Sequence, residues 1–188
     1  MKNTSDPKPN VNLIILSGPR AAGKTSLIQK TLAHLQNENL DIAGILSLPV
    51  EEEGIKIAID GLDLRSGETR RLAVRNSGSS GSLVTRQWLF DPRAMQWADS
   101  ILAISTPCEL LVVDELGILE FERSQGWLAG LTAVDNGLYT AAIAVIRPEL
   151  LAQARARWPK SVTVEISEES RGFALTEMER IVRAYLNL

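Results

Sequence analysis

The chain has a single cysteine, Cys108, and a single histidine, His34. One thiol excludes an internal disulfide, and such a chain suits a reducing compartment, so a cytoplasmic location is expected. Cys108 has no Cys or His neighbour at metal-ligand spacing and is read as a packing residue. His34 lies in a helix-like stretch with no partner to activate it and is expected to be structural or exposed. No apolar run approaches the length of a membrane span, so no membrane is expected among the partners. A secretory signal is lacking as well. Met1 to Asn10 is polar and holds two prolines where a signal peptide needs an apolar core, which predicts a short disordered lead-in. There is no excess of basic charge: 20 Lys and Arg face 23 Asp and Glu, a net charge of −3. That balance disfavours nucleic acid as a general partner, because such binders carry a basic face. No internal repeat is visible, which excludes a solenoid.

What is present fits one globular domain. The 188 residues are 45% apolar and 23% charged, ordinary values with enough chain for a proper core. Residues 11–188 are read as that domain, and a monomer is the expected state.

One stretch organises the rest. Gly18, Pro19, Arg20, Ala21, Ala22, Gly23, Lys24 and Thr25 follow the apolar run Leu13 to Leu16 and precede a helical pattern of Leu27, Ile28, Thr31, Leu32 and Leu35. This is G-x-x-x-x-G-K-[ST] between a strand and a helix, the setting in which the motif cradles phosphates. Glycines let the backbone curl so that several N–H groups point inward. The helix N-terminus adds partial positive charge. Lys24 is expected to reach the β- and γ-phosphates, and the Thr25 hydroxyl to hold Mg²⁺.

The chain then alternates strands and helices. Asn12 to Ser17 predicts a parallel strand covered on both faces, and Lys24 to Gln36 a helix. Ile42 to Leu48 is the next strand, interrupted by Pro49 and by Glu51-Glu52-Glu53, which read as a solvated turn. Ile55, Ile57 and Ile59 alternate with Lys56 and Ala58, and Leu62 and Leu64 continue that strand. Ser66-Gly67 turns it back through Leu72 and Val74, an inserted antiparallel hairpin. Arg70, Arg71 and Arg75 on the return strand read as a charged edge that discourages aggregation. Asn76 to Ser82, rich in Gly and Ser, predicts a mobile loop that would be placed to close over a nucleotide. Trp88 and Phe90 read as core rather than as a stacking platform. Asp91-Pro92 is a helix start, Asp as N-cap and Pro in the first turn.

Leu110 to Val113 is an apolar run that ends in Asp114 and Glu115, followed by Leu116 and Gly117. Beside a phosphate loop, such a strand end supplies the second half of the site. Asp114 would hold Mg²⁺ and Glu115 would polarise the attacking water. Glu120 and Glu122 either orient Glu115 or face water. Gly126 to Val134 predicts a helix, Tyr139 to Ile146 a buried strand, and Pro148 to Ala156 a short helix. Ser161 to Ile166 predicts the last strand, and Leu175, Met178, Ile181, Val182 and Tyr185 a C-terminal amphipathic helix. Arg147 falls at a strand end on the ligand-bearing edge of an open α/β sheet. It would either meet the γ-phosphate or point at water before Pro148. The fold class expected is α/β: a three-layer P-loop domain with a mainly parallel central sheet and an inserted antiparallel hairpin.

Gly18 to Ser26, Ala43 to Ser47, Gly61 to Glu68 and above all Val112-Val-Asp-Glu-Leu-Gly-Ile-Leu-Glu120 resemble the THEP-type nucleoside-triphosphatases, small P-loop proteins of RecA-like build. The likeness spans nearly the whole chain. It implies Mg²⁺-dependent hydrolysis of the terminal phosphate of ATP, GTP and other nucleoside triphosphates, with loose base preference. By position, it assigns nucleotide contacts to Gly18 through Ser26 and to Asp114, Glu115, Leu116 and Gly117. The chain departs from the family pattern at Arg20-Ala21, where Pro-Gly is usual. After Gly44 it has Ile45 and Ser47 in place of the usual aromatic and Thr, and no Arg follows. It also departs along Gly54 to Ile59, and at Ile118, where a Lys is usual. Two rival readings use the same loop. One is a small-molecule kinase that passes the phosphoryl group to a hydroxyl. The other is a nucleotide switch that acts through a protein partner.

Overall fold

Leu13 to Leu16 are apolar without alternation, and a strand of that kind is stable only with both faces covered. In the computed structural model, which describes residues 12–81 and 83–188, that is where it lies. β1 (Leu13–Ser17) sits inside an eight-stranded sheet with β2 (Ile42–Glu52), β3 (Ile55–Asp63), β4 (Thr69–Arg75), β5 (Trp88–Phe90), β6 (Cys108–Leu116), β7 (Tyr139–Ile146) and β8 (Val162–Glu165). The spatial order is β5-β4-β3-β2-β6-β7-β1-β8. β8, β1, β7, β6 and the first half of β2 run parallel. The pairs β2–β3, β3–β4 and β4–β5 are antiparallel.

Strand period sends alternate residues to opposite layers. Leu13, Ile15, Leu111, Val113, Ala142 and Ala144 pack on one side, under α2 (Pro92–Ala103), α4 (Leu128–Asn136) and α5 (Leu151–Arg157). Ile14, Leu16, Leu110, Val112, Ile143 and Val145 pack on the other, under α1 (Lys24–His34) and α6 (Arg171–Leu186). This is the expected three-layer α/β fold. A one-turn helix, α3 (Ile118–Phe121), and a 3₁₀ turn at Pro148–Leu150 complete the elements. Among the described residues, no helix is long and apolar enough to cross a membrane. The expected lead-in at Met1 to Asn10 lies outside the described residues, as does Ser82 of the Gly/Ser loop.

The structure corrects several local expectations. β2 does not stop at Leu48 but runs through Pro49 to Glu52. β6 pairs only with Ile42 to Ile45, so beyond Ile45 one edge of β2 is open, and a proline there removes no ladder bond. The hairpin is therefore a four-strand meander that grows out of β2 itself. β4 is not an edge, because β5 pairs with it. Two of its arginines are neutralised, Arg70 by Glu68 and Arg71 by Asp60, and Arg70 also lies 5.0 Å from the centre of the Trp97 ring. The Asn76 side chain accepts from the amides of Gly78 and Ser79 and donates to the carbonyls of Ser79 and Thr85. The described part of the Gly/Ser loop is thus tied to its own base. His34 does have a partner, Glu179 on α6. The Asp91 cap holds as expected, its carboxylate accepting from the Ala94 amide at 2.8 Å.

Candidate active site

The loop after β1 turns into α1 through Gly23, whose φ of +98° is a conformation that L side chains rarely adopt. The turn brings Lys24 back over the loop, where its Nζ donates to the carbonyls of Gly18 and Pro19, both at 2.8 Å. Ala21 and Ala22 are held from behind. Arg171, at the start of α6, donates to the Ala22 carbonyl at 2.9 Å and to the Ala21 carbonyl at 3.1 Å. That brace spans about 150 residues of sequence and carries no local signal. Ser26 faces solvent on α1, and Arg20 extends from the loop toward β5.

The carboxylates stand where β6 leaves its ladder. The β6–β7 register is regular to Val113 and resumes only at Leu116, paired with Ile146, so Asp114 and Glu115 fall in the break. Asp114 is 2% exposed. Its Oδ2 accepts from the Thr25 hydroxyl at 3.0 Å and from the Ser47 amide at 3.1 Å. The Ser47 hydroxyl donates to the Asp114 carbonyl. Burial pushes the Asp114 carboxyl up to about 7, with Glu115 adding in the same direction, against the Ser47 amide, the Thr25 hydroxyl and Lys56. Burial lowers Lys24, and the charges of Glu115 and Asp114 oppose that shift.

Glu115 is half-exposed and ion-paired with Arg147. Burial works to lower the Arg147 guanidinium, but the charge and hydrogen bond of Glu115 outweigh it and hold Arg147 above its ordinary value. The end of β7 therefore delivers Arg147 to the second acid. Arg147 also caps the 3₁₀ turn at Pro148–Leu150, but its side chain is turned to Glu115 rather than out to water as a helix-start residue would be.

Leu116 and Gly117 stand apart from this cluster. The Leu116 side chain is fully buried in the core. The Gly117 amide donates to the Glu120 carboxylate at 2.7 Å. Glu120 itself neither orients Glu115 nor faces water: it is 7% exposed and also accepts from the Trp127 amide at 2.8 Å. Burial raises its carboxyl, and these two amides offset part of that shift. Glu122, beyond it, is exposed to water.

Sequence reasoning missed Ser47, Arg171 and Lys56. Lys56 on β3 comes close enough for Asp114 and Glu115 to act on it electrostatically, although burial lowers it overall. Only the period of its strand marked it, as a polar position between isoleucines.

Could the site take Mg²⁺? Among the described residues, no group of three or more His, Cys, Asp and Glu is placed to hold a metal. A dedicated protein cage is absent there, and Mg²⁺ does not need one. It keeps several waters and takes one or two protein oxygens plus phosphates. The adjacent Thr25 hydroxyl and buried Asp114 carboxylate are hard oxygen donors of that kind, so these residues fit the ion.

Comparison with known proteins agrees with the geometry. Residues 13–179 match the family model described as NTPase. The chain is 30% identical over 156 residues to the nucleoside-triphosphatase THEP1 of Methanopyrus kandleri, covering 83% of this chain and 80% of that protein. Two solved structures share the fold. One is the solution structure of a human cancer-related nucleoside triphosphatase, with a TM-score of 0.73 and 21% identity, covering 92% of this chain and 98% of that one. The other is the crystal structure of THEP1 from the hyperthermophile Aquifex aeolicus, with a TM-score of 0.67 and 18% identity, covering 90% and 98%.

Proposed function

The chain belongs to the THEP1-type nucleoside-triphosphatase family, and from that premise we propose that it hydrolyses the terminal phosphate of ATP, GTP and other nucleoside triphosphates in a Mg²⁺-dependent reaction. The observation that carries the reading is the convergence of Lys24 and Thr25 with Asp114, through the Thr25–Asp114 hydrogen bond of 3.0 Å, beside the Glu115–Arg147 pair.

Phosphoryl transfer is governed by positioning and by stabilising charge on the equatorial oxygens. Each residue has a task of that kind. Loop amides from Gly18 to Ser26 surround the phosphates. Lys24 exchanges the carbonyls of Gly18 and Pro19 for β- and γ-phosphate oxygens. Thr25 and Asp114 hold Mg²⁺, which supplies positive charge to the phosphate oxygens when bound. Glu115 takes the proton from water as the water oxygen attacks the γ-phosphorus. The bond between that phosphorus and the bridging oxygen breaks, and its electron pair leaves with the diphosphate. Arg147 holds Glu115 in line and adds positive charge near the transferred group. The loose base preference rests on the family likeness.

Phosphate release from ATP, GTP, CTP and UTP with Mg²⁺ tests this reading. Release is expected from all four, lost in Lys24→Ala. In Glu115→Gln it should fall by about 10²–10⁴-fold with nucleotide binding retained, the range for removal of a general base. Unchanged turnover in Glu115→Gln would mean that another group activates the water. No release from any of them despite tight, Mg²⁺-dependent binding would favour a kinase or a switch.

A further inference from the structure

A cavity of about 280 Å³ opens beside the loop, lined by Arg20, Lys56, Arg75, Gln87 and Trp88. Its residues come from four places: the phosphate loop, β3, the end of β4, and the approach to β5 with its first residue. The Trp88 ring seats two of the cations, with Lys56 Nζ 5.2 Å and Arg20 Cζ 5.9 Å from its centre, within cation–π range. Among the described residues, none of Arg20, Lys56 and Arg75 has an ion-pair partner.

That absence is selective. On the same strand as Arg75, Arg70 and Arg71 are both paired with carboxylates, and the chain as a whole has more acids than bases. Composition alone would not collect three unpaired cations around one opening. Burial lowers Arg20 first, Arg147 and Arg75 lower it further, and Glu115 opposes the shift. Lys56 is lowered by burial and by Arg20, while Asp114, Glu115 and Glu51 oppose that shift. Such an arrangement is unfavourable until an anion arrives.

We propose that this cavity is a second anion site, which holds a phosphate dianion, free or as a small monoester, alongside the nucleotide in the loop. The chemistry limits the ligand. Three cations around one opening suit the oxygens of a phosphoryl group, and arginine binds it through two donors. The volume lies at the small end of ligand pockets. Trp88 is only 6% exposed and has cations over its ring, so it offers no open face for base stacking, on which single-stranded nucleic acid binding depends. The cavity also lies on the meander side of the loop, opposite the α6 side where Arg171 braces Ala21 and Ala22. Its nearest link to the nucleotide site is Arg20 of the loop, on which Glu115 also acts electrostatically.

Calorimetric titration of inorganic phosphate and of ribose 5-phosphate tests the proposal. Each is added to protein saturated with Mg²⁺ and a non-hydrolysable ATP analogue. Arg75→Gln and Lys56→Gln are titrated beside the wild type, and melting curves check that each is folded. The expected result is one site per chain. It should weaken about tenfold or more in Arg75→Gln, the loss of a charge-assisted bond, while the analogue's affinity changes less than twofold. Preference for ribose 5-phosphate identifies a monoester site, and preference for inorganic phosphate a site for the reaction product. The proposal is overturned if neither probe binds, if Arg75→Gln binds them as well as wild type, or if the analogue displaces them. Salt-sensitive binding of a short single-stranded oligonucleotide in place of the two probes would also overturn it. Titration of the two probes into Lys24→Ala without the analogue keeps a failure of the nucleotide loop separate from a failure of the cavity.

Discussion

Single side chains carry the sharpest chemistry. Cys108 lies at the start of β6, half-buried against the core. Burial pushes its thiol up to about 11, and Arg65 opposes that only in part. The thiolate is the reactive form. At pH 8 the native protein would therefore hold on the order of one thiolate in a thousand molecules. Alkylation by iodoacetamide is expected to be at least about a hundredfold slower than in the urea-unfolded chain, where the thiol has its ordinary acidity. Its rate should climb about tenfold per pH unit to near pH 10, because the deprotonated fraction is what limits it. A fast reaction at pH 8 would show that the thiol is less buried than the structure has it. The packing role expected from the lack of metal-spaced neighbours agrees with this. For His34 the exposed position expected from the sequence holds, but the expected lack of a partner does not. Its partner Glu179 is 145 residues away, and nothing local in a sequence reports on a contact of that separation.

At the scale of elements, the connector between β6 and α4 shows how a carboxylate takes over the work of a ladder. β6 ends at Leu116, and the chain must cross to α4 at Leu128. Glu120 spans that crossing by accepting from the amides of Gly117 and Trp127. Gly126 makes room for it: its φ is +74°, and a Cβ there would lie 2.0 Å from Glu120 Oε1. Glu120→Ala would leave two amides without an acceptor, at about 1–3 kcal/mol each where they are buried. The expected loss is thus about 2–6 kcal/mol by urea denaturation. Glu115 and Asp114 sit immediately before the connector, so turnover should fall as well. An unchanged midpoint would mean that water replaces the carboxylate. The sequence marked Glu120 only as one of two acids beyond the strand. It could not tell a brace from an exposed charge, because burial there depends on how Trp127 and Gly126 fold back. By contrast, the parallel strands and the long helices were legible, since period-two and helical patterns are local properties. The meander was legible as a hairpin, but its union with β2 was not, because Pro49 and three glutamates look like a stop unless the open edge of β2 is known. The convergence of Arg20, Lys56 and Arg75 was hidden for the same reason: each is unremarkable in its own segment.

On the scale of the whole molecule, the site is held by the centre of the sheet rather than by one lobe. The phosphate loop follows β1, Arg147 follows β7, Asp114 and Glu115 end β6, and Ser47 lies on β2. These four strands are consecutive neighbours in the sheet, and β2 continues without a break into the meander. A nucleotide seated against all of them is bound only while the sheet is intact, so its binding energy adds to the stability of the entire domain. For one site, a ligand at 100 times its Kd stabilises by about 2.7 kcal/mol. In a domain of this size that corresponds to a rise in Tm of about 5–10 °C. Mg²⁺ with ADP should therefore raise the melting temperature by that amount in a single cooperative transition, and the shift should vanish in Lys24→Ala. Mg²⁺ alone should shift it far less, since Thr25 and Asp114 offer only two protein oxygens. Differential scanning calorimetry distinguishes the outcomes. Two transitions, only one of them moved by ligand, would mean that the meander unfolds apart from the parallel strands. The continuous β2 would then be a hinge between two units rather than a shared strand. One transition moved as a whole requires that β2 transmit the stabilisation. It would then follow that substitutions in the meander, far from Lys24, lower the melting temperature of the ligand-bound and ligand-free protein alike.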